Sequence, residues 1–127
     1  SVYKIIEKNG IGKEYELDTD ILIFEGEYLY GKRHGNGKEF FVTGELKFEG
    51  KYLDGKRHGN GKEIDESGDL KFEGEYLNGK RWNGKVYFID DELLEFELKN
   101  GCGKVKEYKN NGIIKKKMTI LKEEVTI

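Results

Sequence analysis

The sequence contains no proline, no alanine and no glutamine, and a single cysteine, Cys102. Each absence closes an option. Without Ala the best helix former is missing, which leans the chain toward strand. A lone cysteine excludes an internal disulfide and makes a reducing, cytoplasmic compartment the default expectation. No apolar run approaches the roughly 18–20 residues of a membrane span, and no signal-peptide pattern is present. Charge of one sign is also lacking: 23 Lys plus Arg stand against 25 Asp plus Glu, so nothing draws the chain as a whole to nucleic acid. Catalytic patterns are missing too. There is no glycine-rich phosphate loop ending in Lys-Ser/Thr, no cysteine pair and no serine elbow, and Asp90-Asp91-Glu92 lacks calcium-loop spacing. The sequence therefore predicts no catalytic residue, no metal ligand and no cofactor.

What is present is periodic. Charged residues at 38% against apolar residues at 35% would suggest disorder, but 13% aromatics and regularly placed Gly argue against it. Phe24, Phe48, Phe72 and Phe96 recur every 24 residues, as do Leu22, Leu46, Leu70 and Leu94. Gly26, Gly50 and Gly74 follow each Phe by two, and Tyr28, Tyr52 and Tyr76 by four. Residues at i, i+2, i+4 and i+6 share one face of a strand. Tyr30-Gly31, Asp54-Gly55 and Asn78-Gly79 then turn the chain, and the hexapeptide Lys-Arg-His-Gly-Asn-Gly begins the return at residues 32 and 56. One unit is one β-hairpin, and Thr43-Gly44 and Ser67-Gly68 pass the chain to the next.

The expected fold is all-β: an elongated, twisted, single-layer antiparallel meander of stacked β-hairpins. One domain spans 1–127, with a degenerate N-terminal cap unit at 1–21, repeats at 22–45, 46–69 and 70–93, and a degenerate C-terminal unit and cap at 94–127. The offset from Tyr3 to Gly10 matches that from Phe24 to Gly31, which places Gly10 in the turn column. The third unit is one residue short, with Trp82-Asn83-Gly84 for His-Gly-Asn-Gly, and a longer linker at 89–94 restores register. Asn111-Gly112 suggests a last hairpin, and 118–125 a strand or short helical tail. A start in mid-pattern at Ser1 and a strand-like end at 123–127 suggest a fragment of something longer.

The run from Phe24 to Gly37 resembles the MORN (membrane occupation and recognition nexus) repeat, Tyr-x-Gly-x-Trp-x-x-Gly-x-x-His-Gly-x-Gly, with Phe for the first Tyr and Tyr28 for the Trp. Phe48 to Gly61 matches equally, and Phe72 to Gly84 matches with its His-Gly step damaged. The resemblance implies an extended sheet of hairpins used in scaffolding, peptide binding and membrane-associated assemblies, in the cytoplasm or peripherally at a membrane or cytoskeletal structure. It also implies a module that often accompanies an enzyme domain in a longer chain.

Two sets of residues are candidates for contact. Leu29, Leu53 and Leu77 fall on the strand face opposite Phe, Gly and Tyr, among charged residues; either they bind a partner or a second copy, or return-strand side chains near Phe40, Ile64 and Tyr87 cover them. The aromatic columns Phe24, Phe48, Phe72, Phe96 and Tyr28, Tyr52, Tyr76 are expected to form the core; Tyr28, Tyr52, Tyr76 and Trp82 also join this candidate partner-binding set, because one sheet that does not curl on itself has no second layer and part of its aromatic face would form an open groove. Arg occurs only at Arg33, Arg57 and Arg81, each after Lys32, Lys56 or Lys80. These six make a candidate anion- or lipid-binding stripe, unless they pair with the Glu columns. His34 and His58 stand roughly 9–10 Å apart in such an array, too far to share a metal. The partners expected are a protein or a second copy, with an anionic lipid surface as the alternative, and no nucleic acid.

Overall fold

The computed structural model describes the backbone of residues 1–89, 93–110, 113–116 and 121–122, and the side chains of residues 1–88 and 95–103. The chain runs as one antiparallel sheet whose strands lie side by side in sequence order: β1 (Val2–Ile6), β2 (Ile11–Glu16), β3 (Leu22–Leu29), β4 (Lys32–Phe40), β5 (Leu46–Leu53), β6 (Lys56–Ile64), β7 (Leu70–Leu77), β8 (Lys80–Ile89), β9 (Leu93–Lys99), β10 (Cys102–Asn110) and β11 (Ile113–Lys116). A short β12 (Leu121–Lys122) pairs with β10. The all-β meander read from the 24-residue period is the architecture observed.

The turns explain the period. Tyr30-Gly31, Asp54-Gly55, Asn78-Gly79 and Asn100-Gly101 close the hairpins with φ between 49° and 88° at every residue. Positive φ at both central positions is the I′ turn, whose twist matches that of the strands it joins. At the other end, five-residue turns at 41–45 and 65–69 place Gly44 and Gly68 at φ 91° and 87°. Asp65 braces the second of these by accepting hydrogen bonds from the backbone N–H of Ser67 and Asp69 at 2.9 and 3.0 Å.

Inside each hairpin the pairing is uneven. Gly26 lies opposite Gly37 and Tyr28 opposite Arg33, so His34-Gly35-Asn36 face the single residue Glu27. The second hairpin repeats this with His58-Gly59-Asn60 against Lys51. In the third, Trp82 alone is extra, because Tyr76 pairs with Arg81 and Glu75 with Asn83. The missing residue of the third unit is thus taken out of a bulge, where it leaves the strand register on either side intact.

The first hairpin corrects the sequence reading. Gly12 lies opposite Gly26 and Glu14 opposite Phe24, as Gly37 and Glu39 lie opposite Gly50 and Phe48. That puts Gly10 in the bulge column of Gly35 and Gly59, not in the turn column of Gly31. Its φ is 82°, and its carbonyl accepts the Tyr28 N–H at 2.6 Å. The reason is the longer turn at 7–11, in which the Glu7 N–H donates to the Ile11 carbonyl and the Gly10 N–H to the Glu7 carbonyl, and which consumes residues the other units give to strand. At the far end β10 pairs with β11, so the expected last hairpin exists. Its turn at 111–112, the linker at 90–92 and, apart from Leu121 and Lys122, the segment 118–125 lie outside the described residues.

Candidate functional site

The sheet has two faces of opposite character, both set by the strand period. On the first, Phe24, Phe48 and Phe72 are fully buried and Tyr28, Tyr52 and Tyr76 nearly so. Single-layer sheets rarely bury rings so completely, and here the rings cover one another. Tyr28, Phe24, Tyr52, Phe48, Tyr76 and Phe72 form an unbroken file of edge-to-face contacts, centroids 5.2–5.7 Å apart and planes at 81–87°. The glycines make room for it. A Cβ on Gly37 would stand 2.6 Å from the Phe24 ring and 2.8 Å from that of Tyr52, so the column serves packing on this side.

Over the file lies a lid of charge. Glu39 sits directly between Phe24 and Phe48 in the ladder, and Glu14 and Glu63 hold equivalent places. Each carboxylate accepts a hydrogen bond from a tyrosine hydroxyl, Tyr28 to Glu14, Tyr52 to Glu39 and Tyr76 to Glu63, at 2.5–2.7 Å. Each also accepts from an arginine Nε, of Arg33, Arg57 and Arg81 in turn, at 2.7–2.8 Å. Arg33 and Arg81 complete a two-pronged fork through Nη2 at 3.0 and 3.1 Å, while Arg57 reaches on to Glu63 at 3.8 Å. The guanidiniums of Arg33 and Arg57 lie 4.1 Å above the Phe24 and Phe48 centroids, and that of Arg81 lies 5.3 Å above Phe72. Burial alone would raise these carboxyls, but the arginine and tyrosine donors outweigh it and hold Glu14, Glu39 and Glu63 below the ordinary carboxylate range. Burial, together with the same carboxylates, pushes the Tyr28, Tyr52 and Tyr76 hydroxyls well above the ordinary phenol range.

Over β2 to β8 this face is the core expected of the aromatic columns, and its own charged lid covers what would otherwise stand open on a sheet without a second layer. Tyr28, Tyr52 and Tyr76 spend their rings on phenylalanines and their hydroxyls on glutamates, and nothing of them is left to present. Arg33, Arg57 and Arg81 do not join the lysines in one solvated stripe either; they turn to the aromatic face. In the sequence each Arg stands two residues beyond a hairpin turn; its place opposite Tyr, with Glu one strand away, comes from the register.

The second face carries the exposed features. Leu29, Leu53 and Leu77 stand on it, 47%, 43% and 37% exposed. Phe40 and Ile64 pair with Leu46 and Leu70 at the far end of the hairpins, whereas Leu29, Leu53 and Leu77 pair with Lys32, Lys56 and Lys80, so the leucines are partly covered without Phe40 or Ile64 as ladder neighbours. Lys32 and Lys56 are exposed and Lys80 is half-buried. Trp82, in the histidine slot, packs on the neighbouring tip: a Cβ on Gly101 would meet its ring at 2.9 Å, and its carbonyl accepts the Gly101 N–H. His58 accepts the Asn78 N–H through Nδ1, a turn-packing contact.

A groove of about 770 Å³ runs across this face from β2 to β7. Its floor is the glycine column, bare on this side, and its walls are rows of charged and amide side chains. One row is complete from β2 to β10: Lys13, Glu25, Lys38, Glu49, Lys62, Glu73, Lys85, Glu97 and Lys104 lie directly opposite one another in succession. Lysine and glutamate alternate without a fault. From Lys13 to Glu73 one neighbouring pair, Lys38 and Glu49, closes to ion-pair distance, at 3.7 Å, with both side chains about half exposed. Among the described residues no cluster of three or more His, Cys, Asp or Glu side chains could hold a metal, and no helix is long and apolar enough to cross a membrane.

The MORN-repeat family model matches residues 24–45, 48–70 and 72–82, the three hairpins that carry the aromatic file. No curated protein matches the chain. Repeats of this family are generally non-catalytic. Three successive matches on a single-layer hairpin sheet show that the chain carries MORN repeats over residues 24–82.

Proposed function

We propose that the protein is a non-enzymatic scaffold that binds a partner polypeptide on its groove face. The observation that supports this is the asymmetry of burial. The aromatic face is sealed by its own lid, while the opposite face leaves Leu29, Leu53 and Leu77 exposed in a row beside an open groove. An apolar row left partly exposed over three repeats is the kind of surface that a partner buries. The test is residue-specific crosslinking in the protein's native extract. A photoreactive group at position 51, on the groove, yields a discrete adduct that disappears when Leu29, Leu53 and Leu77 are all changed to Ser; the same group at position 42, outside the groove, does not yield it. Equal labelling from both positions, or none from either, sinks the proposal.

A second reading is supported by the pairing of Leu with Lys along the hairpin tips. Leu29, Leu53 and Leu77 face Lys32, Lys56 and Lys80, so apolar and cationic groups alternate at one border of the face. Such a border suits an anionic membrane surface, with about 1 kcal/mol from each lysine near it. Co-sedimentation with phosphatidylserine vesicles, lost at high salt and in the variant with all three lysines changed to Glu, is the result it requires.

A further inference from the structure

The groove's charge pattern specifies what kind of segment lies in it. This inference rests on the scaffold reading above and concerns the partner's chemistry. Strands β2 to β7 are each paired on both sides, so the backbone under the groove has no free hydrogen-bonding edge. An extended segment lying there would leave its own N–H and C=O groups unmatched, whereas a helix satisfies its backbone internally and docks through side chains alone. The groove crosses five strand intervals, about 24 Å, the length of about 16 helical residues.

The charges set the rest. Along one wall the row Lys13, Glu25, Lys38, Glu49, Lys62, Glu73 changes sign at every strand, a step of roughly 4.8 Å. On one side of an α-helix, residues three or four apart are neighbours and rise about 4.5–6 Å. A helix with acidic and basic residues alternating at that spacing therefore sets each charge against its opposite over several consecutive strands. A uniformly acidic or basic helix meets repulsion at every second strand. On the same face, past the intervening row of Glu27, Lys51 and Glu75 and at the border of the groove, Leu29, Leu53 and Leu77 recur every two strands, close to the roughly 10.5 Å of a heptad.

The geometry points to a mixed-charge α-helix as the occupant of the groove, with Lys and Glu alternating along the stripe that faces this row and apolar residues at heptad spacing on its side toward Leu29, Leu53 and Leu77. Since the sheet's own charges alternate, its net attraction for either sign is small, and recognition lies in the order of the partner's charges more than in their number.

Two synthetic helical peptides of about 18 residues test this directly. Both carry the same apolar heptad and the same Lys and Glu content; one alternates the charges three and four apart, and its isomer gathers them into two like-charge blocks. Binding is read by fluorescence anisotropy on the intact chain. The alternating peptide is expected to bind at least about tenfold more tightly, with the advantage lost at about 0.5 M salt, where screening acts over about a helix turn. Glu49→Gln with Glu73→Gln breaks the alternation without adding charge, and is expected to erase the preference while thermal unfolding stays cooperative. Should that variant unfold, Lys38→Met with Lys62→Met asks the same question from the basic side. Equal binding of the two peptides, or no binding of either, overturns the charge inference. The crosslinking from position 51 judges the scaffold reading separately, so the two can fail independently.

Discussion

Two stretches of one sheet solve the same problem with different chemistry. From β2 to β8 each buried phenylalanine is roofed by an Arg–Glu–Tyr cluster; from β8 to β10 the roof is hydrocarbon. The change happens at one ladder position. The column that reads Glu14, Glu39 and Glu63 continues as Val86, opposite Phe72 on one side and Phe96 on the other. At the same point the glycine column of Gly26, Gly50 and Gly74 continues as Leu98, which lies between Gly84 and Gly103 and is 3% exposed. The fourth hairpin turns two residues earlier, at Asn100-Gly101, so no tyrosine ring follows to cover the glycines, and Leu98 fills the space instead. Val86 and Phe96 are as buried as the phenylalanines of the ionic units.

The lesson is that burial does not require the ions. A charged cluster on a sheet with water on both sides gains only what its hydrogen bonds and the ring faces return above desolvation. What it adds is direction. Arg33, Glu14 and Tyr28 come from three different strands and share three directional hydrogen bonds, so the cluster specifies register where Phe and Val alone would tolerate slippage.

The largest effect should come from breaking one ionic unit from within. Glu39→Ala strands the Arg57 guanidinium and the Tyr52 hydroxyl over buried rings, and should cost about 3 kcal/mol in urea unfolding. The equivalent truncation in the hydrocarbon unit, Val86→Ala, should cost about 1–2 kcal/mol, since it leaves a small cavity and no orphaned charge.

Acid should separate the regions next. Glu14, Glu39 and Glu63 are held below their ordinary range when folded, so the stability they add is complete above the unfolded carboxyl value near 4.5 and drains away as pH falls through the lower folded values. Amide exchange should show β3 to β7 losing protection below that point before β9 does. On the alkaline side the sign reverses. The raised tyrosines contribute below pH 10, and that contribution is lost above it.

Converting one solution into the other sharpens the comparison. Glu63→Val with Tyr76→Phe and Arg81→Leu should change stability by no more than about 1–2 kcal/mol in either direction, because whole ion clusters exchange for apolar residues of similar bulk far more cheaply than they break. It should also flatten the acid limb of the curve. The smallest change lies at the first hairpin tip. Tyr30 holds φ at 50° while 95% exposed, where the other tips have Asp54, Asn78 and Asn100. Tyr30→Asn should stabilise by about 0.5–1 kcal/mol, read as a higher melting temperature, since Asn tolerates that conformation and no contact of the ring is lost.

The sequence alone determined the strands, the turns and the order in which they pair. Those depend on period two, on positive-φ dipeptides and on a 24-residue identity, all of which are local. It also placed Leu29, Leu53 and Leu77 on the face opposite the aromatics, because alternation is a property of a single strand. What the strand pattern did not reveal was which residues of neighbouring strands lie side by side. Cross-strand neighbours depend on bulges such as His34-Gly35-Asn36 and on the long turn at 7–11, and each extra residue shifts everything beyond it. So the sequence offered Arg33, Arg57 and Arg81 as companions of the lysines, and only the register turned them onto Phe24, Phe48 and Phe72. The alternating Lys and Glu row was hidden for the same reason. Its members are 11 to 13 residues apart from Lys13 to Glu97, and only the folded ladder brings them into line.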